Sequence, residues 1–596
     1  MEEYDLLIEK AIIVEGSGKK AYKGSIGVKE DKIVALGSVK GSGKKVVDAG
    51  GLTAIPGFID AHSHADLNLL FYPKCDNYVM QGVTTFVGGH CGLSPAPMGD
   101  MIEFPGSAKE YIREVLPYKY YPEKSLFPRE QVNEIMKEHF GWTADWETMG
   151  DFFKVVEDRG ISANYVPLVG HGTIRRLVMG EDFKRPCTKN ERQLMSDAIV
   201  QAMNDGCVGL SVGLDYDPDV YADREELVEH VGVLNGYDGL FCPHSRRTGA
   251  RRGIVAGKKQ HDKIDGINEV IGLCRETGVG MNIAHLFTGW YITPGGGPDI
   301  LEIANHKATL MVIDKALEEG LKISFDALPS TLTSPYGGAN YLSCLFAPWL
   351  RQTGSREEFS KLLTLREFRD EIKDGIFSGK WFLRLIYNPN TNPLWAESIL
   401  VLQHKNKDCE NKSVAQIARE RGTEPFDTWL DLIMEDPEAK CPIGEWYAPL
   451  DPNALYHTVF YEHPLCAVGL DTGVIDFKHE SRVPPWHKPG IVQYSAFVGF
   501  VDKYVNKQKL YTLEQAVDIT STRAAKNFRL EGRGVLKEGG YADIVLMDLP
   551  NIRIAGTPLD SRQPPEGIKH VFVNGKAVVE NSKHTGATPG RVLKKE

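Results

Sequence analysis

Eight short apolar runs, each set apart from the next by charged or helical sequence, constrain this chain more than any other feature. They span 57–61, 83–88, 164–169, 208–212, 240–243, 280–284, 322–325 and 466–469. Amphipathic segments at 190–205 and 224–234 lie between some of them. Runs that are apolar throughout suit strands buried on both faces, and strands alternating with helices predict parallel pairing. Eight such units predict a closed (β/α)8 barrel, with a doubly wound sheet left open by the pattern alone. The spacing is uneven, and the long intervals predict insertions at about 92–160 and 328–460. Within the second insertion, 356–379 is rich in Glu, Lys and Leu and predicts a helix. Trp349, Trp381, Trp395, Trp429 and Trp446 could supply an apolar lid or simply a core.

The two ends read differently. Leu6-Leu7-Ile8, Ala11-Ile12-Ile13-Val14, Ser25-Ile26-Gly27-Val28 and Lys32-Ile33-Val34 are short β-type runs bounded by turns. Near the C-terminus, 542–547 reads as a strand and 570–579 as a hairpin turning at Asn574-Gly575. Two β-rich ends predict one small domain built from both, 1–57 with 531–596, around a barrel at 58–530.

Composition excludes several classes. The chain has 596 residues, 42% hydrophobic and 25% charged, which suits a folded globular protein. With 69 basic and 80 acidic residues the net charge is −11, and nothing suggests a nucleic-acid partner. No apolar stretch is long enough to cross a membrane. Ten scattered cysteines without a CxxC pair predict reduced thiols. The acidic start predicts no secretory signal, so the expected location is the cytoplasm. The oligomeric state is not legible.

Chemistry-bearing residues cluster at the predicted strand ends. His62 and His64, in Asp60-Ala61-His62-Ser63-His64, are two apart and so share a strand face. Imidazole is a favoured zinc ligand, and the C-terminal edge of barrel strands is where such enzymes keep their sites. Cys91, in Gly88-Gly89-His90-Cys91-Gly92, closes the second run, and a thiolate there could bind metal. His90 would point the other way and is read as a non-ligand. His244 closes the fifth run and His285 the sixth. Asp471 closes the eighth, where a carboxylate is costly to bury without a partner or a metal.

This ordered set resembles the amidohydrolase superfamily, and more narrowly its D-aminoacylase (N-acyl-D-amino-acid deacylase) branch. The resemblance covers nearly the whole chain. It is carried by Pro56-Gly57-Phe58-Ile59-Asp60-Ala61-His62-Ser63-His64, by Cys91-Gly92, by Val169-Gly170-His171-Gly172-Thr173, by Gly209-Leu210-Ser211-Val212-Gly213 and by Ala542-Asp543-Ile544-Val545. It implies a barrel beside a small β-sandwich formed by both ends. It implies one or two zinc ions per chain. Cys91, His244 and His285 would hold the tighter one, and His62, His64 and Asp471 the second position. It also implies hydrolysis of a small-molecule amide by metal-activated water, with Asp471 moving the proton.

Around the substrate the sequence departs from the branch. Phe287 stands where the branch carries Lys, and Ala327-Leu328-Pro329-Ser330 follows Asp326 where the branch carries a Tyr-Pro pattern after its Asp. Arg246 opens an arginine-rich run to Arg252 that could bind an anion. His171 and His487 are further candidates for the substrate pocket. Kept metal residues with changed pocket residues predict kept hydrolysis and altered specificity. A cyclic amide or imide substrate, as in hydantoinases, a hydrolytic deaminase, and a metal-free scaffold or binding protein are the alternatives.

Overall fold

The computed structural model describes residues 3–108, 125–246, 263–286, 299–329, 339–381, 387–390, 392–442, 458–479, 489–557 and 559–595. Five strands open the chain: β1 (Glu3–Ile13), β2 (Tyr22–Lys29), β3 (Lys32–Gly37), β4 (Ser42–Asp48) and β5 (Thr53–Pro56). The barrel strands follow: β6 (Phe58–Asp60), β7 (Val83–Gly88), β8 (Asn164–Gly170), β9 (Gly209–Gly213), β10 (Leu240–His244), β11 (Met281–Ile283), β12 (Ile323–Ala327) and β13 (Cys466–Val468). They pair in parallel, in sequence order. The ring closes where Ala61 N–H reaches Val468 O at 3.0 Å and Ser63 bridges Thr472. Each predicted run matches one of these strands to within two residues at either end.

Alternation along the strands divides the packing. Ile59, Ala61, Val87, Val166, Leu168, Leu240, Cys242 and Ala467 form one buried cluster with Ala524, Ala525 and Phe528. Phe58, Phe86, Tyr165, Leu210, Val212, Phe241, Ile283 and Phe325 belong to the large cluster shared with the helices. The helices start where the sequence caps them. Lys189–Asn204 begins at Thr188, whose hydroxyl accepts Glu191 N–H at 3.3 Å while Glu191 accepts Thr188 N–H at 2.7 Å. Thr148 and Asp151 do the same for Met149–Arg159.

The chain ends share a nine-stranded mixed sheet. Its C-terminal strands are β14 (Ile544–Met547), β15 (Ile568–Val573), β16 (Lys576–Glu580) and β17 (Lys583–His584). β14 pairs antiparallel with β5, which joins the two ends of the chain. β1 is one strand rather than the two runs of the sequence reading, because Lys10, at φ +59°, lets the register shift without ending it. The turn at Asn574-Gly575 has φ of +48° and +76°, as a type I′ hairpin requires.

Residues 339–442 carry a separate apolar cluster of their own. Trp349, Trp395 and Trp429 are buried in it, and Trp381 packs against it. These four therefore pack the insertion's own core; Trp446 lies outside the described residues. The single helix expected over 356–379 is two, Arg356–Leu362 and Arg366–Phe377. All ten cysteines are free, and nine are buried. Among the described residues no helix is long and apolar enough to cross a membrane.

Candidate metal centre

The C-terminal ends of five barrel strands bring six side chains to one place. Cys91 Sγ lies 3.4 Å from His62 Nε2, 3.4 Å from His244 Nδ1 and 3.5 Å from His285 Nε2. Asp471 Oδ1 lies 3.1 Å from His64 Nε2 and 3.5 Å from His62 Nε2. The six form two groups, His62, His64, Cys91 and Asp471, and Cys91, His244 and His285, with Cys91 common to both. Within each group all donor atoms lie within 4.8 Å of one another.

Backbone geometry aims them. Cys91, His285 and Asp471 have φ of +58°, +34° and +54°, in the left-handed region that few non-glycine residues adopt. Each follows the end of its strand by a few residues, so the chain turns sharply and presents the side chain over the barrel. Such strain clusters at functional sites.

Carboxylates hold the imidazoles from behind. Asp326 Oδ1 lies 3.4 Å from His62 Nδ1 and accepts His285 N–H at 2.8 Å, while Asn282 Nδ2 donates to its other oxygen at 2.9 Å. Asp215 Oδ2 lies 3.6 Å from His244 Nε2. Asp60 accepts from His62 N–H at 3.2 Å and Leu470 N–H at 2.8 Å. His90 stacks on His62 with ring centroids 4.0 Å apart. The sequence marks Asp326 only as the strand-seven Asp that precedes a changed pattern, and gives Asp215 no role. Both sit at or just beyond strand ends, the signal that singled out Asp471.

The pocket pairs opposite charges. Burial opposes ionisation of the Cys91 thiol, but His62, His244 and His285 together hold it well below its ordinary value. Burial likewise opposes charge on His64, yet Asp471 and Cys91 push it up to about 10. His62 is raised well above its usual range by Cys91, Asp326 and Asp471, again against burial. Asp471 stays ionised: burial raises it, and hydrogen bonds from His62 and His64 more than offset that.

The donors fit a zinc ion. Zn–S of about 2.3 Å and Zn–N of about 2.05 Å at tetrahedral angles put sulfur and nitrogen about 3.5 Å apart. The three S···N separations here are 3.4, 3.4 and 3.5 Å. Thiolate, imidazole and carboxylate are the ligand types zinc takes. Exposure is uneven: His62, Cys91, His244 and His285 are at most 3% exposed, whereas the His64 and Asp471 side chains are 22% and 30% exposed.

The other candidates fall elsewhere. His171 is wholly buried against Asp219 and His230, not in the metal cluster. Arg246 is engaged by Glu269 at 3.1 Å and by the carbonyls of Leu214 and Val220 at 3.3 and 2.9 Å. Its guanidinium braces loops instead of facing a ligand, because those acceptors already use its fork. Phe287, His487 and the arginines after Arg246 lie outside the described residues.

The amidohydrolase family profile matches residues 492–579. An N-acyl-D-glutamate deacylase of Alcaligenes xylosoxydans xylosoxydans is 25% identical over 100% of this chain and 97% of its own length. A D-aminoacylase of the same organism is 25% identical over 99% and 98%. The solved N-acyl-D-glutamate deacylase of Bordetella bronchiseptica superposes with a TM-score of 0.65 at 24% identity, covering all of both chains. With the barrel, the shared end sheet and the cysteine-bearing cluster, these likenesses mark the chain as a hydrolase of carbon–nitrogen bonds outside peptides, similar along its whole length to the D-aminoacylases of the amidohydrolase superfamily.

Proposed function

We propose that this protein is a zinc-dependent deacylase that hydrolyses the amide of a small N-acyl amino compound. The observation that carries the reading is the convergence of three imidazoles on the Cys91 sulfur at tetrahedral edge lengths. Cys91, His244 and His285 would hold one ion, and His62, His64 and Asp471 a second, with the Cys91 sulfur within reach of both. The relatives named deacylases span the whole chain, and the Bordetella protein was solved with zinc and a phosphonate mimic of the tetrahedral intermediate.

When bound, zinc supplies a water acidified towards a pKa of about 7 and polarises a carbonyl. The rest is the chain's own work. Only His64 and Asp471 of the six are substantially open to solvent, so the amide approaches from their side. Asp471 is held ionised and therefore enters as a base. It takes a proton from the attacking water at a carboxylate oxygen and returns it to the leaving nitrogen. Asp326 and Asp215 orient the imidazoles, as carboxylates behind metal-binding histidines do.

The test is a screen of amine release from N-acyl amino acids of both hands, with hydantoins and other cyclic amides alongside, on protein of measured zinc content. Release from linear N-acyl substrates that stops on chelation supports the reading. Turnover only of cyclic amides would replace the substrate class, and no bound metal would sink the metal reading.

A further inference from the structure

A second cluster of metal-type donors lies outside the centre: His171, Glu226 and His230, all buried. Its own bonding leaves no place for an ion. His171 Nε2 and His230 Nδ1 are 2.9 Å apart, and the Arg175 guanidinium already pairs with Glu226.

Hydrogen-bond accounting fixes the protons. His230 Nε2 lies 3.0 Å from the Arg192 carbonyl, which only accepts, so this nitrogen carries a hydrogen. Burial holds His230 down to about 3, so the ring is neutral and its Nδ1 accepts. His171 Nε2 must then donate. His171 Nδ1 donates too, to Asp219 Oδ1 at 2.9 Å. His171 is therefore an imidazolium. It faces Asp219, and Glu226 at 3.4 Å, while Arg175 balances Glu226. The four charges cancel, as a buried cluster requires.

The far end of this chain reaches the Cys91 turn. Asp219 Oδ2 accepts Gly213 N–H at 2.8 Å and packs so close to Gly92 that a Cβ there would collide with it. Cys91 and Gly92 are consecutive left-handed residues at +58° and +74°. Two walls clamp them. Thr173, on the helix that His171 starts, donates its N–H to Gly92 O at 3.0 Å. From the 209–219 segment, Ser211 Oγ accepts Gly92 N–H at 2.9 Å and Tyr216 donates to Cys91 O at 2.8 Å. The His171–Asp219 pair joins one wall to the other.

We propose that the buried Asp219–His171–His230 chain positions Cys91, locking the two walls around its left-handed turn and thereby setting metal affinity at the thiolate. This rests on the metal reading above. Asp219, His171 and His230 touch neither metal nor substrate in it; they act through Cys91.

The test uses the full-length protein with zinc, and with cobalt as a spectroscopic probe. In wild type, a thiolate-to-cobalt charge-transfer band that disappears in Cys91→Ala reports the site. Asp219→Asn and His171→Gln are each expected to shift that band and to weaken zinc binding about 10–100-fold. A variant that melts lower but keeps the wild-type band and affinity within twofold overturns the proposal, because a purely structural role would do just that. Should Asp219→Asn not fold, His230→Gln, altered at the end of the chain remote from Cys91, decides on the same readout. A wild type with zinc but no band would overturn the thiolate reading itself, and is distinguishable from a band present and unmoved by the variants.

Discussion

Asp471 combines a left-handed backbone, a side chain 30% exposed and a carboxylate held ionised by two imidazoles. Asp471→Asn keeps the shape and loses the base. It is expected to lower turnover by roughly 10²–10⁴-fold while the zinc held by Cys91, His244 and His285 stays bound; metal analysis beside kcat checks this, and unchanged turnover would remove Asp471 from the mechanism. Cys91→Ala should strip the tighter zinc, and full zinc content in that variant would overturn the ligand assignment. The pH dependence of binding follows from the imidazoles. His62 and His64 are both raised in the chain itself, His64 to about 10, so both hold their protons more tightly than a free imidazole does. Metal binding must displace those protons, so zinc affinity is expected to rise with pH from 6 to 9. A titration by calorimetry at several pH values checks it; a flat profile would show that the imidazoles are not ligands. The six donors were legible because each closes an apolar run. His171 carries the same signal as His244, a histidine at a strand end. It differs because Gly170 ends its strand and His171 immediately starts a helix, which turns the ring outward to Asp219. The positive φ of Cys91, His285 and Asp471 was not legible, since nothing in those residue types demands it.

At the scale of elements, the eight strands were readable because they are apolar on both faces and punctuated by glycine. The insertion at 339–442 was readable only as extra length. Its internal core depends on which tryptophans meet, and local sequence does not record that. Trp429 is fully buried there, against Phe346 at 4.5 Å and Trp395 at 5.7 Å between ring centroids. Trp429→Ala is expected to cost about 3–5 kcal/mol within this cluster. Because the cluster is separate from the barrel's, proteolysis should cut the insertion first while zinc content is unchanged. Loss of metal together with the insertion would show that the two are coupled.

For the whole molecule, the end sheet is tied to the barrel by a small polar network. Arg533 pairs with the buried Asp543, which also accepts Asn574 N–H at 2.8 Å. Asn574 Nδ2 reaches Asn164 Oδ1, on β8, at 2.8 Å. Arg533→Ala strands a buried carboxylate and is expected to cost about 3–5 kcal/mol. Denaturant melts check this, and a loss below 1 kcal/mol would mean that the network relaxes. That both ends contribute strands to one sheet was legible from their shared β character. The pairing of β14 with β5, which joins them, was not, because edge complementarity between distant strands leaves no mark in either.

The burial of the cysteines has a practical consequence. Nine are enclosed, and the thiol of the tenth, Cys187, is pushed up to about 12 by burial and by Glu226. Cys91, the thiol that His62, His244 and His285 hold ionised, is itself only 3% exposed, so the native protein offers alkylating reagents almost no accessible thiolate. Maleimide labelling at neutral pH should stay below one per chain, against ten once denatured. A single cysteine placed on the surface would then serve as a clean attachment point for a dye.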